Sequence, residues 1–112
     1  MEAVGIMEMF GYVCAIKAAD AAAKAADVRV IAIDSNKPAN AETVAVPLIM
    51  CVKVQGSVSA VEAAVAAGSA AAEACTGLIT SHIIPRPTAD AEKMALRCSV
   101  GRDRVGHIQN NA

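Results

Sequence analysis

Arg86 stands between two prolines. In the run Ser81-His82-Ile83-Ile84-Pro85-Arg86-Pro87-Thr88, each proline fixes its own φ and drives the residue before it to extended geometry, so the guanidinium projects from a stiff edge rather than a loose loop. A planar fork held in that way can satisfy several carbonyl acceptors of another surface at once. That is the chemistry of docking. His82 has no second His, Cys or carboxylate at ligand spacing and reads as structural support for the same edge rather than as a metal ligand. The four cysteines, Cys14, Cys51, Cys75 and Cys98, are widely spaced and form no C-x-x-C pair, which argues against a zinc site or a thioredoxin-type motif. In a reducing cytosol they are expected to be small buried hydrophobes rather than disulfides. No Ser-His-Asp set, phosphate-binding loop or dinucleotide glycine fingerprint is evident. The chain is therefore not read as an enzyme, and no residue is assigned a catalytic role.

These residues must be carried by a single domain, since 112 residues build one core with little room for a second. Residues 1–97 are assigned to it and residues 98–112 to a tail without apolar period, expected to be an extension or partly disordered. The formal charge of −1 leaves no electrostatic footprint for nucleic acid. One Tyr and one Phe leave no aromatic platform on which bases would stack. Hydrophobic residues make up 55% and charged residues 19%, apolar beside a usual level of about 45–50% and about 25%. Much of the excess is alanine. No run reaches the roughly 18 consecutive apolar residues of a spanning helix, and Glu2 and Glu8 stand where a signal peptide would carry basic residues. A cytosolic location without membrane partners is expected.

Alternating residues 2–10, ended by Gly11, predict a first strand, and residues 12–26 switch to helical spacing. Tyr12, Ile16, Ala19, Ala23 and Ala26 share one face of that helix, with Lys17, Asp20, Lys24 and Asp27 as a charged stripe elsewhere. Residues 28–34 and 48–55 predict strands. Ser59-Ala60-Val61-Glu62 has the form of a capping box opening a helix to about residue 75, with Val58, Val61, Val65, Gly68 and Ala72 on its core face. Residues 78–85 predict a fourth strand, and Thr88 or Asp90 is placed to cap a short helix through residue 96. This order, βαββαβ with a terminal helix, predicts an α+β ferredoxin-like sandwich, an antiparallel sheet with helices on one face.

Both long helices are mostly alanine where a solvated helix would carry charge. Contiguous apolar surface on a monomer is a liability, and burial against identical copies resolves it. Self-association is expected.

Five fragments in order carry a resemblance: Ala3-Val4-Gly5-Ile6-Met7-Glu8, Ala15-Ile16-Lys17-Ala18-Ala19-Asp20 after Gly11, Lys24-Ala25-Ala26-Asp27-Val28, Val54-Gln55-Gly56-Ser57-Val58-Ser59-Ala60-Val61, and His82-Ile83-Ile84-Pro85-Arg86-Pro87. Together they resemble the bacterial microcompartment shell-protein domain over about residues 3–96, in its plain rather than circularly permuted strand order. The resemblance implies a homohexamer that tiles edge to edge, with other hexamers and pentamers of the shell and with encapsulated enzymes as partners, and a pore on the sixfold axis through which small molecules pass. No cofactor is expected. It places Lys24 at the hexamer edge, where antiparallel lysines of adjacent hexamers pack, and makes Arg86 the arginine that reaches into the neighbouring hexamer, with His82 beside it.

The chain departs from the family pattern in residues 35–47. There the family has a short glycine-containing loop whose amides line the pore, and this chain has a segment about nine residues longer without any glycine, lacking the easy positive-φ positions. Asn36, Lys37, Pro38, Asn40 and Glu42 are its candidate pore-region residues, with Lys37 and Glu42 setting local charge, because sixfold repetition turns one side chain into a ring. Two rival readings remain at this stage. One is a redox shell protein with an iron–sulfur cluster at the pore, for which Cys51 is a weak candidate ligand although a cluster needs several converging thiolates. The other is a small-ligand-binding regulator on a ferredoxin-like scaffold.

Overall fold

The computed structural model describes residues 2–36 and 48–97. Within them the chain forms β1 (Ala3–Phe10), α1 (Tyr12–Ala25), β2 (Val28–Asn36), β3 (Ile49–Gly56), α2 (Val58–Glu73), β4 (Leu78–Ile84) and α3 (Ala89–Ala95). The sheet order is β2-β3-β1-β4 and every neighbouring pair is antiparallel, the expected α+β ferredoxin-like arrangement. Residues 37–47 and 98–112, which hold Lys37, Pro38, Asn40, Glu42, Cys98 and the tail, lie outside the described residues.

Register decides which side chains meet. The β1–β3 pairing runs from Ala3 opposite Gly56 to Phe10 opposite Ile49, so Ala3, Met7 and Met9 share a face with Met50, Val52 and Val54, and all six are buried. Successive side chains alternate across a strand, which sends Ile6, Glu8, Cys51, Lys53 and Gln55 to the opposite face. The core lies between the first face and the two long helices, built from Cys14, Ala15, Ala18 and Ala22 of α1 and Val61, Ala64, Val65 and Ala72 of α2.

The layers approach closely because the contact residues are small. A Cβ on Gly68 would lie 2.7 Å from Met7 Sδ and 3.1 Å from the Ala18 carbonyl oxygen of α1. One on Gly5 would lie 2.5 Å from Val65 Cγ2 and 2.8 Å from Val61 Cγ1. Each glycine is thus a void that the facing element fills.

Helix ends are set locally. Gly11, at φ 88, supplies a left-handed turn between β1 and α1, and its amide donates to the Leu48 carbonyl at 2.9 Å. Ser57, not the expected Ser59, caps α2, its hydroxyl accepting from the Ala60 amide at 3.2 Å. Thr88 caps α3, accepting from the Ala91 amide at 3.2 Å, and Asp90 and Glu92 complement the dipole within the first turn.

Several expectations need correction. The core face of α1 is Cys14, Ala15, Ala18, Ala19 and Ala22. Tyr12 and Ile16, which share the predicted face, are 57% and 43% exposed, and Val13 is 69% exposed. Small residues won the buried stripe because only they permit the close approach to Gly68. Val58 is likewise exposed. Among the cysteines, Cys14 is buried as expected, but Cys51 is half-buried and Cys75 is exposed.

Gly5→Ala is expected to cost about 1–3 kcal/mol, the overpacking range, because the atoms it meets belong to branched side chains that are themselves buried. Urea denaturation with an unchanged m-value checks this.

Candidate functional site

The candidate edge residues sit on two elements. Lys24 lies in the last turn of α1, where its Nζ is 2.8 Å from Asp20 Oδ2. The Asp20 hydrogen bond raises the lysine's pKa. Both side chains are largely exposed, so the pair adds little stability and leaves the ammonium at the surface. His82 is exposed on β4, an edge strand, paired through its backbone opposite Ile6. Arg86 is exposed just past the end of β4, while Pro87 beside it is buried and anchors the segment. Among the described residues no hydrogen bond or ion pair joins Lys24, His82 and Arg86; each is presented outward.

The opposite face of the sheet fixes the chain beyond Arg86. No residue of α3 is buried, so hydrogen bonds rather than a core hold that helix. Gln55 Nε2 donates to Glu92 Oε2 at 3.1 Å. Lys53 Nζ donates to the Arg97 carbonyl at 2.7 Å and pairs with Asp34 Oδ2 at 2.8 Å, both side chains about nine-tenths buried. Arg29 continues the network, donating to Gln55 Oε1 at 3.2 Å and forming an ion pair with Glu2. The hydrogen bonding between Arg29 and Glu2 holds the Glu2 carboxyl below its usual pKa and raises that of Arg29. The Pro85-Arg86-Pro87 segment is therefore stretched between a paired strand and a helix tied down by Lys53 and Gln55. Sequence reasoning missed these two supports: their alternation with Val52 and Val54 reads as an ordinary solvent face.

A depression of about 310 Å³ opens on this face, lined by Glu8, Asp34, Ser35, Asn36, Cys51 and Lys53. It lies where β2 and β3 run toward residues 37–47, which places exposed Asn36 at the root of the expected pore region. Burial pushes the Cys51 thiol up to about 11, with Lys53 opposing and Glu8 and Asp34 adding to the rise. A thiol protonated at neutral pH is a poor thiolate ligand. Among the described residues no three His, Cys, Asp or Glu side chains converge as a metal ion requires, and no helix is long and apolar enough to cross a membrane.

The BMC domain family model matches residues 3–87, and the chain belongs to that family. It is 36% identical over 94 residues to the bacterial microcompartment shell protein EutM of Salmonella typhimurium, covering 84% of this chain and 88% of the relative. It is 39% identical over 93 residues to the shell protein PduA of Citrobacter freundii, covering 83% and 90%. It is 42% identical over 91 residues to the carboxysome shell protein CsoS1A of Hydrogenovibrio crunogenus, covering 80% and 85%. A solved microcompartments protein from Desulfitobacterium hafniense DCB superposes with a TM-score of 0.64 at 26% identity, covering 85% of this chain and 47% of that one, so this chain spans about half of that protein. The role is structural, in the shell of a bacterial microcompartment, and not enzymatic.

Removing one partner of a buried ion pair leaves the other charge uncompensated, so Lys53→Met is expected to destabilise by about 3 kcal/mol or more and to speed hydrogen exchange across residues 89–97. The double change Asp34→Leu with Lys53→Met should recover much of the loss. Denaturant midpoints and exchange mass spectrometry read both. The pH dependence of Cys51 is a separate outcome. An ordinary thiol nears its alkylation plateau above a pKa of about 8.5, whereas the Cys51 rate should still rise close to tenfold between pH 9 and 10, as measured on the iodoacetamide-labelled peptide.

Proposed function

We propose that residues 1–97 form a shell tile, six copies closing around an axis and abutting further hexamers and pentamers through Lys24, His82 and Arg86, with residues 98–112 as an appended tail. The observation that carries this reading is the uncovered apolar surface at the start of α1. Tyr12, Val13 and Ile16 are exposed there, and Leu48, also exposed, is held beside them by the hydrogen bond to Gly11. The outer face of α2 adds Ala63, Ala66 and Ala70, all exposed. Such a surface favours burial against sister copies, and the shell relatives point to the same use.

The segment containing Asn36, Lys37, Pro38, Asn40 and Glu42 is assigned to the axial opening. Its length and lack of glycine favour a lining made by side chains rather than by amides, and a sixfold ring of Lys37 and Glu42 would set the charge that small metabolites meet on passage. Encapsulated enzymes are the natural neighbours of the inner face, and the assembly would stand in the cytoplasm.

The edge roles are separable from the subunit core because Lys24 and Arg86 are exposed and support no buried contact. Electron microscopy of the purified chain is expected to show sixfold rings packed into sheets, and Lys24→Ala or Arg86→Ala is expected to leave rings while reducing sheets at least several-fold. Intact sheets in both variants would remove these residues from the edge.

A further inference from the structure

We propose that Cys14 and Cys75 form a reversible intramolecular disulfide that locks the turn after α2 onto the start of α1. Neither the shell role nor the edge residues involve these thiols.

The two cysteines are 61 positions apart, yet both address one carbonyl oxygen. Cys14 Sγ donates to the Ala72 carbonyl at 3.7 Å, and the Cys75 amide donates to that same oxygen at 3.1 Å. The turn is laced to the β1–α1 junction on either side of them: the Thr76 hydroxyl donates to the Phe10 carbonyl and the Phe10 amide donates to the Gly77 carbonyl at 3.2 Å. The Cys75 side chain is among the groups that act on the Cys14 thiol. Gly77, at φ 117, carries the turn through a backbone conformation that side-chain-bearing residues rarely adopt.

Exposure divides the roles. Cys75 is open to solvent and Cys14 is buried, the arrangement of a redox pair in which one thiol meets the oxidant and a sheltered one resolves it. Burial pushes the Cys14 thiol up, but the neighbouring polar groups of Thr76, Cys75 and Gly77 outweigh it and hold the thiol below its ordinary value. Cys51 is pushed the other way, so Cys14 is chemically distinct from it.

The oxidant is a low-molecular-weight disulfide of the glutathione class. The Cys75 thiolate attacks one sulfur of that disulfide, breaking its S–S bond and releasing one small thiol, and leaves a mixed disulfide on Cys75. The Cys14 thiolate then attacks Cys75 Sγ, expelling the second small thiolate, which takes up the proton Cys14 gave. Two protein thiols are oxidised and one small disulfide is reduced to two thiols. Disulfides in reducing compartments are usually transient and redox-sensing, which fits a pair that opens and closes with the thiol poise.

The test is incubation of the purified full chain with oxidised glutathione at pH 8, followed by non-reducing tryptic mass mapping. The four cysteines fall in four different tryptic peptides, so any pairing can be identified. The expected product is a single chain lacking two hydrogens, with the Cys14 and Cys75 peptides joined and the bond reversed by dithiothreitol. Its apparent Tm should rise by about 5–10 °C, since the bond closes a long loop. Cys75→Ser, at an exposed turn, should retain the wild-type reduced Tm and leave Cys14 unmodified. A glutathione adduct that persists on Cys75 with Cys14 free, or a bond formed instead with Cys51, Cys98 or another copy, would overturn the proposal.

Discussion

The structure depends on how closely α1 and α2 can lie on the sheet and on each other. Gly68 lets α2 settle against the Ala18 carbonyl and Met7, and Gly5 lets β1 receive Val61 and Val65. Alanine supplies most of the remaining contact on α1. Layers built this way hide little side-chain volume per residue. A thin core has two consequences. It tolerates added methylenes badly, since close-packed interiors feel even one, and it leaves larger apolar side chains with no place inside. Tyr12, Val13 and Ile16 are displaced to the outer surface for that reason, and the surface they make is what a ring of identical copies would cover.

The other face of the sheet solves a different problem. A short helix with no buried side chain cannot hold itself on a domain, since an isolated helix of this length is marginal in water. Here β3 grips it with polar groups: Lys53 takes the Arg97 carbonyl and Gln55 takes Glu92. The Lys53–Asp34 pair keeps the lysine side chain aimed. The consequence reaches the edge, because Pro85-Arg86-Pro87 is the link between β4 and the gripped helix. Two prolines stiffen that link locally, and the polar network fixes where its far end goes.

The topology was legible in the sequence because strand and helix periods alternate cleanly, and the caps at Thr88 and the stops at Gly11 and Gly77 carry their own chemistry. The helix faces were less so. A helical wheel ranks Tyr12 and Ile16 as core because they are large, whereas packing against Gly68 selects for smallness, which no wheel encodes. The α2 start was misread by two residues because Ser57 and Ser59 both have the chemistry of a cap, and only the strand's end at Gly56 decides between them. Lys53 and Gln55 were hidden for another reason: a polar residue alternating with valines looks solvated until a later segment folds back over it. Arg86 and Lys24 were readable as exposed charges, but the docking role proposed for them comes only through resemblance to a family, since a solvated lysine and a docking lysine have the same local sequence.

The central claim is that one copy cannot cover its own apolar helix surface. Native mass spectrometry of the full chain, supported by sedimentation velocity from micromolar to millimolar concentration, tests it most directly. The account predicts a dominant species six times the 11.4 kDa chain mass. A single 11.4 kDa species persisting across that range would contradict it.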